Sequence, residues 1–218
     1  AGSARRLDMA IRVWHDMKRD GIRADVPAYN ALLNAYAKAG AAREALNALD
    51  VMRRAGFSPN AISYNSVIDA CGRAGDVKAA HAVVQEMQAE GIPPNQRTFS
   101  ILIHACARQG KMQAAFDLLD EMQSRGLPPN EVTYGSLIDA CGRAGHIQAA
   151  FGVLKEMERQ GFTPNVIVWT TLIDACVKLA ARAPPVAEPL GASAPPQSSP
   201  AGQAQQVLVE ELDNSDGK

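Results

Sequence analysis

The sequence predicts an all-α protein, a solenoid of stacked two-helix units, and three observations carry that expectation. Landmark residues return every 35 positions: Cys71, Cys106, Cys141 and Cys176 are the chain's only cysteines, and they share that spacing. Between the landmarks, apolar residues recur at helical intervals and glycines interrupt them at fixed places. Finally, Pro59-Asn60, Pro94-Asn95, Pro129-Asn130 and Pro164-Asn165 close four successive stretches of equal length. A repeat period in the range of about 20–50 residues marks an array of supersecondary units, none of which buries its apolar face alone.

Cutting after each Pro-Asn gives the elements in order. Residues 4–25 read as the second half of a unit, with Met17 and Gly21 in their columns and Asp25 at the close. The first full unit, 26–60, carries Tyr29, Ala35, Gly40, Met52 and Gly56. The unit 61–95 shows the internal logic most clearly. Its first helix runs from about Ile62 to Ala74, with Val67, Ile68 and Cys71 on one face. Gly75 ends it as a left-handed cap. Asp76 is placed to cap the second helix. There Ala79, Ala80, Val83, Val84 and Met87 form the apolar stripe. Gly91 ends that helix, and Pro93-Pro94 prevents continuation. The units 96–130 and 131–165 repeat the scheme through Phe99 and Tyr134, Ala105 and Ala140, Gly110 and Gly145, Met122 and Met157, Gly126 and Gly161. Residues 166–182 are the first half of one more unit, with Trp169 and Ala175 in register. From Ala183 the composition turns to Pro, Ala, Ser and Gly, which suits a disordered tail over 183–218. Within it, Val207 to Leu212 has the make-up of a short helix.

Aromatics are only 5% of the chain, so the core must be built from Ala, Leu, Ile, Val and Met, with small residues letting helices approach closely. A net charge of −1 gives no global pull on a polyanion, so any such function must come from local placement. One cysteine per unit, at equivalent points of helices about 8–10 Å apart, suits a small buried contact residue. A disulfide needs Cα atoms within about 7 Å, and zinc needs clustered ligands. The chain starts at Ala1 inside a unit, which reads as a fragment with any targeting peptide out of view.

No catalytic, metal or cofactor constellation emerges. His15, His81, His104 and His146 occupy four different phases of the period. Glu86, Glu121 and Glu156 recur, as solvated helix faces with i,i+4 partners do. Two other columns carry more meaning. Lys38, Arg73, Arg108, Arg143 and Lys178 put a base at one phase of five successive first helices, a stripe along the stack. Each cation suits a helix C-terminus, worth about 0.3–1 kcal/mol, and the stripe can also carry a polyanion. The fifth residue of each unit is Asn30, Asn65, Ser100, Gly135 and Thr170. It stays small or polar while its surroundings are fixed, as a reading position would. The closing Asn lies nearby.

Glu131-Val132-Thr133-Tyr134-Gly135-Ser136-Leu137-Ile138-Asp139-Ala140-Cys141, ending in Gly161-Phe162-Thr163-Pro164-Asn165, resembles a unit of the pentatricopeptide repeat family, and the likeness covers about residues 4–182. The uniform length is similar to the family's P-type subclass. Tetratricopeptide repeats have 34 residues and a Trp/Leu-Gly/Tyr pattern that is not seen here. The resemblance implies a right-handed α-solenoid that binds single-stranded RNA, one base per unit, without an enzymatic activity of its own. It implies base selection by the pairs Asn30 with Asn60, Asn65 with Asn95, Ser100 with Asn130, and Gly135 with Asn165, with Thr170 opening another. It implies base stacking on Pro27, Ile62, Arg97, Val132 and Ile167, where Pro27 and Arg97 depart from the usual aliphatic. It also implies phosphate contacts from Lys38, Arg73, Arg108, Arg143 and Lys178. The family's pairing rules give, from the RNA 5′ side, pyrimidine, pyrimidine, adenine and, for the Gly/Asn pair, adenine. The expected setting is an organelle, the chloroplast ahead of the mitochondrion, in RNA stability, processing or translation. The rival expectations are a protein-binding scaffold and the binding half of a repeat-linked RNA-processing enzyme.

Overall fold

The structure, a computed structural model, describes residues 2–182, and the tail reading, Val207 to Leu212 included, lies outside them. Ten α-helices occupy the described residues: α1 (Gly2–Arg19), α2 (Val26–Ala39), α3 (Ala42–Arg54), α4 (Ala61–Ala74), α5 (Val77–Ala89), α6 (Gln96–Arg108), α7 (Met112–Ser124), α8 (Glu131–Ala144), α9 (Ile147–Arg159) and α10 (Val166–Arg182). Among the described residues no helix is long and apolar enough to cross a membrane.

The first helices α2, α4, α6, α8 and α10 pack each against the next and form a continuous layer. The second helices α3, α5, α7 and α9 each lie against their own first helix and the one that follows. Each unit thus rests on its immediate neighbours, as a solenoid requires. Close approach within the first-helix layer depends on small residues. A Cβ added at Gly72 would stand 2.8 Å from that of Ala105, and one at Gly142 would stand 3.1 Å from that of Ala175.

Each turn follows from its residues. At Gly75 the backbone is left-handed (φ 84°), and two bonds close the end of α4. Gly75 N–H donates to the Gly72 carbonyl at 3.2 Å, and Asp76 N–H donates to that of Cys71 at 2.9 Å. That is a Schellman closure, which only glycine adopts without steric cost. The Asp76 side chain accepts from Ala79 N–H at 2.9 Å, as predicted. The other second helices depart from that scheme. Ala41, Lys111 and His146 stand at the same place and make no side-chain cap bond.

The Met and aromatic columns form the core. Met52, Met87, Met122 and Met157 are fully buried, and Tyr29, Tyr64, Phe99 and Tyr134 nearly so. The Tyr64 hydroxyl accepts from Arg53 Nη2 at 2.6 Å, and Arg53 also pairs with Glu86 on the next unit's second helix and with Glu90 at that helix's C-cap. Glu86 is therefore a cross-unit strut rather than a partner within its own helix. Glu121 and Glu156 do pair locally, with Arg125 and Arg159.

The cysteine expectation holds for three residues and fails for one. Cys71, Cys106 and Cys141 are free and buried, whereas Cys176 is free and exposed. Burial raises the thiol of Cys71 to about 11 and pushes those of Cys106 and Cys141 upward as well. Trp169 is likewise 45% exposed where its column-mates are buried. Both sit on α10, and among the described residues no later helix covers it.

Candidate nucleic-acid interface

The closing asparagines turn out to be built into the helix starts. Asn60, Asn95 and Asn130 are the N-caps of α4, α6 and α8, and each side-chain oxygen accepts a backbone N–H of the first turn. Asn165 does the same for Val168 N–H at 3.1 Å. An N-cap fixes the side chain at the helix entrance, beside the second and fifth residues of the helix it opens. The same turn therefore brings the second, fifth and closing positions to one edge of the first-helix layer.

The second-position side chains at that edge are exposed although three are aliphatic. Ile62, Val132 and Ile167 are 62%, 68% and 74% exposed. These uncovered aliphatics stand at one register of the first helices. Pro27 and Arg97 complete the row and are exposed too. Fifth-position residues lie deeper. Asn65 is buried, Asn30, Ser100 and Gly135 are half-buried, and Thr170 is exposed on α10.

A groove of about 520 Å³ crosses α2, α4 and α6 at this edge. Its lining includes Asn30, Ile62, Asn65, Asn95 and Arg97. Two second-position side chains of consecutive units thus share one hollow with two fifth-position asparagines and one closing Asn. The volume falls in the range of about 300–1,000 Å³ usual for small-ligand clefts. A second groove, of about 510 Å³, shares Ala31 and Asn34 with the first and is lined by Arg6, Lys38 and Arg73. Polar side chains and positive charge therefore lie in adjoining hollows of one surface.

The basic stripe is present but not bare. Lys38, Arg73, Arg108, Arg143 and Lys178 are all exposed on the first helices. Arg73 Nε lies 3.0 Å from Asp69 of the preceding turn, and Arg143 pairs with Asp139 in the same way. At the equivalent place before Arg108 stands His104, whose Nδ1 is 3.0 Å from Ser136 Oγ. Burial, with Arg108 and Arg73 adding to it, lowers the His104 pKa from its ordinary value, against the opposing pull of Asp69 and Asp139.

Sequence reasoning missed one set of residues altogether. Ser63, Thr98 and Thr133, the third residues of their helices, are fully buried hydroxyls bonded to the preceding unit's fifth residue. The available signal was a hydroxyl three places after Asn60, Asn95 and Asn130, which is a capping-box pattern. Asn60 and Asn95 do form that box with Ser63 and Thr98.

A family model described as the pentacotripeptide-repeat region of PRORP matches residues 3–172. The chain belongs to the pentatricopeptide repeat family. Among solved structures it is similar to pentatricopeptide repeat protein PPR10 in complex with an 18-nucleotide psaJ RNA element, with a TM-score of 0.71, 24% identity, and coverage of 76% of this chain and 24% of that one. It is similar to PPR10 from maize, with a TM-score of 0.62, 27% identity, and coverage of 78% and 24%. It is also similar to the repeat domain of Arabidopsis thaliana protein-only RNase P 1 in complex with tRNA, with a TM-score of 0.60, 16% identity, and coverage of 78% and 90%. The chain thus spans about a quarter of the PPR10 chains. A comparison with curated proteins found no match. The α-solenoid expected from the repeat period is the observed fold, and members of the family are typically organellar.

Proposed function

We propose that this pentatricopeptide repeat array binds single-stranded RNA, reading one base per unit at the edge of the first-helix layer. The observation that carries the reading is the groove in which Ile62 and Arg97 flank Asn65 and Asn95. A planar base entering there stacks on the aliphatic and guanidinium faces and meets amide groups at its edge. The same roles extend along the array. Asn30 with Asn60, Ser100 with Asn130, Gly135 with Asn165, and Thr170 select, while Pro27, Val132 and Ile167 stack. Lys38, Arg73, Arg108, Arg143 and Lys178 then hold phosphates. The solved complexes of PPR10 with psaJ RNA and of the RNase P 1 repeat domain with tRNA support this reading by likeness of fold. The residues act by binding, without chemistry of their own, in organellar RNA stability, processing or translation, and we place the protein in the chloroplast before the mitochondrion.

The test is fluorescence anisotropy of short labelled RNAs at low salt, with base substitutions at single positions. Binding will be weak, because four full units read about four bases at roughly 1–3 kcal/mol each before ordering costs. Ser100→Asn is expected to shift preference at one base from adenine towards a pyrimidine. Arg108→Ala is expected to weaken all RNAs alike and to flatten the salt dependence. Unchanged base preference in Ser100→Asn, with binding intact, would refute the assigned column. No RNA binding at low salt would favour the protein-scaffold alternative. A second reading rests on the family model itself, which describes the repeat region of PRORP. In that reading the array is the substrate-binding half of an RNA-processing enzyme.

A further inference from the structure

We propose that the third residue of α4, α6 and α8 (Ser63, Thr98 and Thr133) is a positioning residue that fixes which hydrogen-bonding group the preceding unit's base-selecting side chain shows to RNA. The inference rests on the reading above, in which the fifth residue selects the base.

Thr98 shows how the proton count decides the matter. A hydroxyl has one proton and two lone pairs. Thr98 Oγ1 accepts Asn95 N–H at 3.1 Å. Its single proton has two acceptors in reach, Asn65 Oδ1 at 2.7 Å and Asn95 Oδ1 at 3.2 Å. The first is nearer by 0.5 Å, and the second already accepts Thr98 N–H at 3.1 Å, so the proton goes to Asn65. The reverse orientation of the Asn65 amide is disfavoured. It would turn Asn65 Oδ1 onto Asn95 Oδ1, where Asn65 Nδ2 now donates at 3.4 Å. Asn65 is thus held with its oxygen turned towards the next unit, and the amino proton not given to Asn95 is the partner left for the groove. Ser63 repeats the hydroxyl's part of this arrangement one unit earlier. Its hydroxyl donates to Asn30 Oδ1 at 2.5 Å and accepts Asn60 N–H at 3.2 Å.

The same hydroxyl gives the opposite result when the fifth residue is serine. Ser100 Oγ donates its own proton to the Gln96 carbonyl at 3.0 Å. With that proton spent, it accepts from Thr133 Oγ1 at 2.9 Å, the nearer of that hydroxyl's two acceptors since Asn130 Oδ1 stands at 3.0 Å, and keeps a lone pair for RNA. An Asn so held offers a donor, which suits the ring nitrogen of cytosine or a carbonyl of either pyrimidine. A Ser so held offers an acceptor, which suits the exocyclic amino group of adenine. The pairing of Asn with pyrimidine and Ser with adenine then depends on a buried residue that touches no base.

Thr98→Val keeps the branched shape and removes the hydroxyl, and Thr98→Ser restores it. Labelled RNAs differing only at the base read by Asn65 are titrated by anisotropy into the whole chain at low salt. Thr98→Val is expected to reduce pyrimidine-over-purine preference at that base about tenfold, with preference at neighbouring bases unchanged and Thr98→Ser close to wild type. Thr133→Val, tested in parallel, is expected to relax adenine preference only at the base read by Ser100. If both valine variants lose affinity equally for all RNAs and keep the wild-type ratios, the hydroxyls are merely structural and the inference falls. Should Thr98→Val fail to give a helical circular dichroism spectrum, Thr133→Val decides alone. Absence of any base preference in the wild-type chain overturns the RNA reading itself, which separates the two failures.

Discussion

Replacing Asp69 by Asn is expected to tighten RNA binding. The Asp69 carboxylate holds Arg73 at 3.0 Å across one helical turn, with the two side chains 21% and 43% exposed. A phosphate reaching Arg73 must compete with that carboxylate and must also approach its charge. Exposed pairs four apart on a helix contribute about 0.3–0.5 kcal/mol, which is the part lost when the phosphate displaces Asp69. Repulsion between the carboxylate and a phosphate roughly 7 Å away adds about 0.6 kcal/mol at the dielectric of water. The sum, about 1 kcal/mol, corresponds to roughly fivefold tighter binding at low salt, and shrinks as salt screens both terms. The assay is anisotropy of a labelled RNA across a range of potassium chloride. For single strands, log affinity falls with log salt by about 0.7 per neutralised phosphate. Asp69→Asn should therefore tighten binding equally for all base sequences and steepen the slope by up to that amount. Asp139→Asn, two units away, should do the same through Arg143, and the two effects should add. Unchanged or weaker binding in both variants would refute the idea that phosphates run along this stripe.

Three further outcomes are expected. A thiol reagent should label Cys176 rapidly in the native chain, while Cys71, Cys106 and Cys141, buried and with raised pKa values, should react only after denaturation; mass spectrometry of labelled peptides reads this directly. Gly72→Ala should lower the unfolding midpoint in urea, because overpacking against Ala105 costs about 1–3 kcal/mol and exceeds the roughly 1 kcal/mol gained in helix propensity. His104 has a folded pKa below its unfolded value, so the unfolded chain binds the proton more readily. Its contribution to stability is intact above about pH 6.5 and is lost as pH falls through that value towards the folded pKa; His104→Gln should remove this part of the pH dependence of the thermal midpoint.

Much of this molecule was legible because the period is uniform. Gly75, Asp76 and the Met column could be placed on helix ends and core faces from spacing and residue type alone. Asn30 and Asn65 of the groove were legible in another way, as members of a column that varies in a fixed frame. What escaped had one of two physical causes. Column reasoning treats every unit alike, so it could not register that Cys176 and Trp169 lie on the last described helix, without the cover their counterparts have. It also considers one column at a time. The stripe of bases was visible, but its neutralisation lay in a second column, Asp69 and Asp139, one turn earlier. Likewise Ser63, Thr98 and Thr133 gain meaning only through a bond to a residue about one period away.

Those inter-unit bonds shift the seam at which the array can be divided. Sequence invites a cut after each Pro-Asn, but such a cut separates Asn65 from the Thr98 hydroxyl that holds it. A transplanted block that keeps its function must therefore run three residues past the joint, into the opening turn of its successor. The block 131–165 is different, since Gly135 has no side chain to hold and Val168 has no hydroxyl to hold it with. Of the four, it is the one whose closing joint can be cut without freeing a base-selecting side chain, and its neighbours cannot be shuffled as freely as beads on a string.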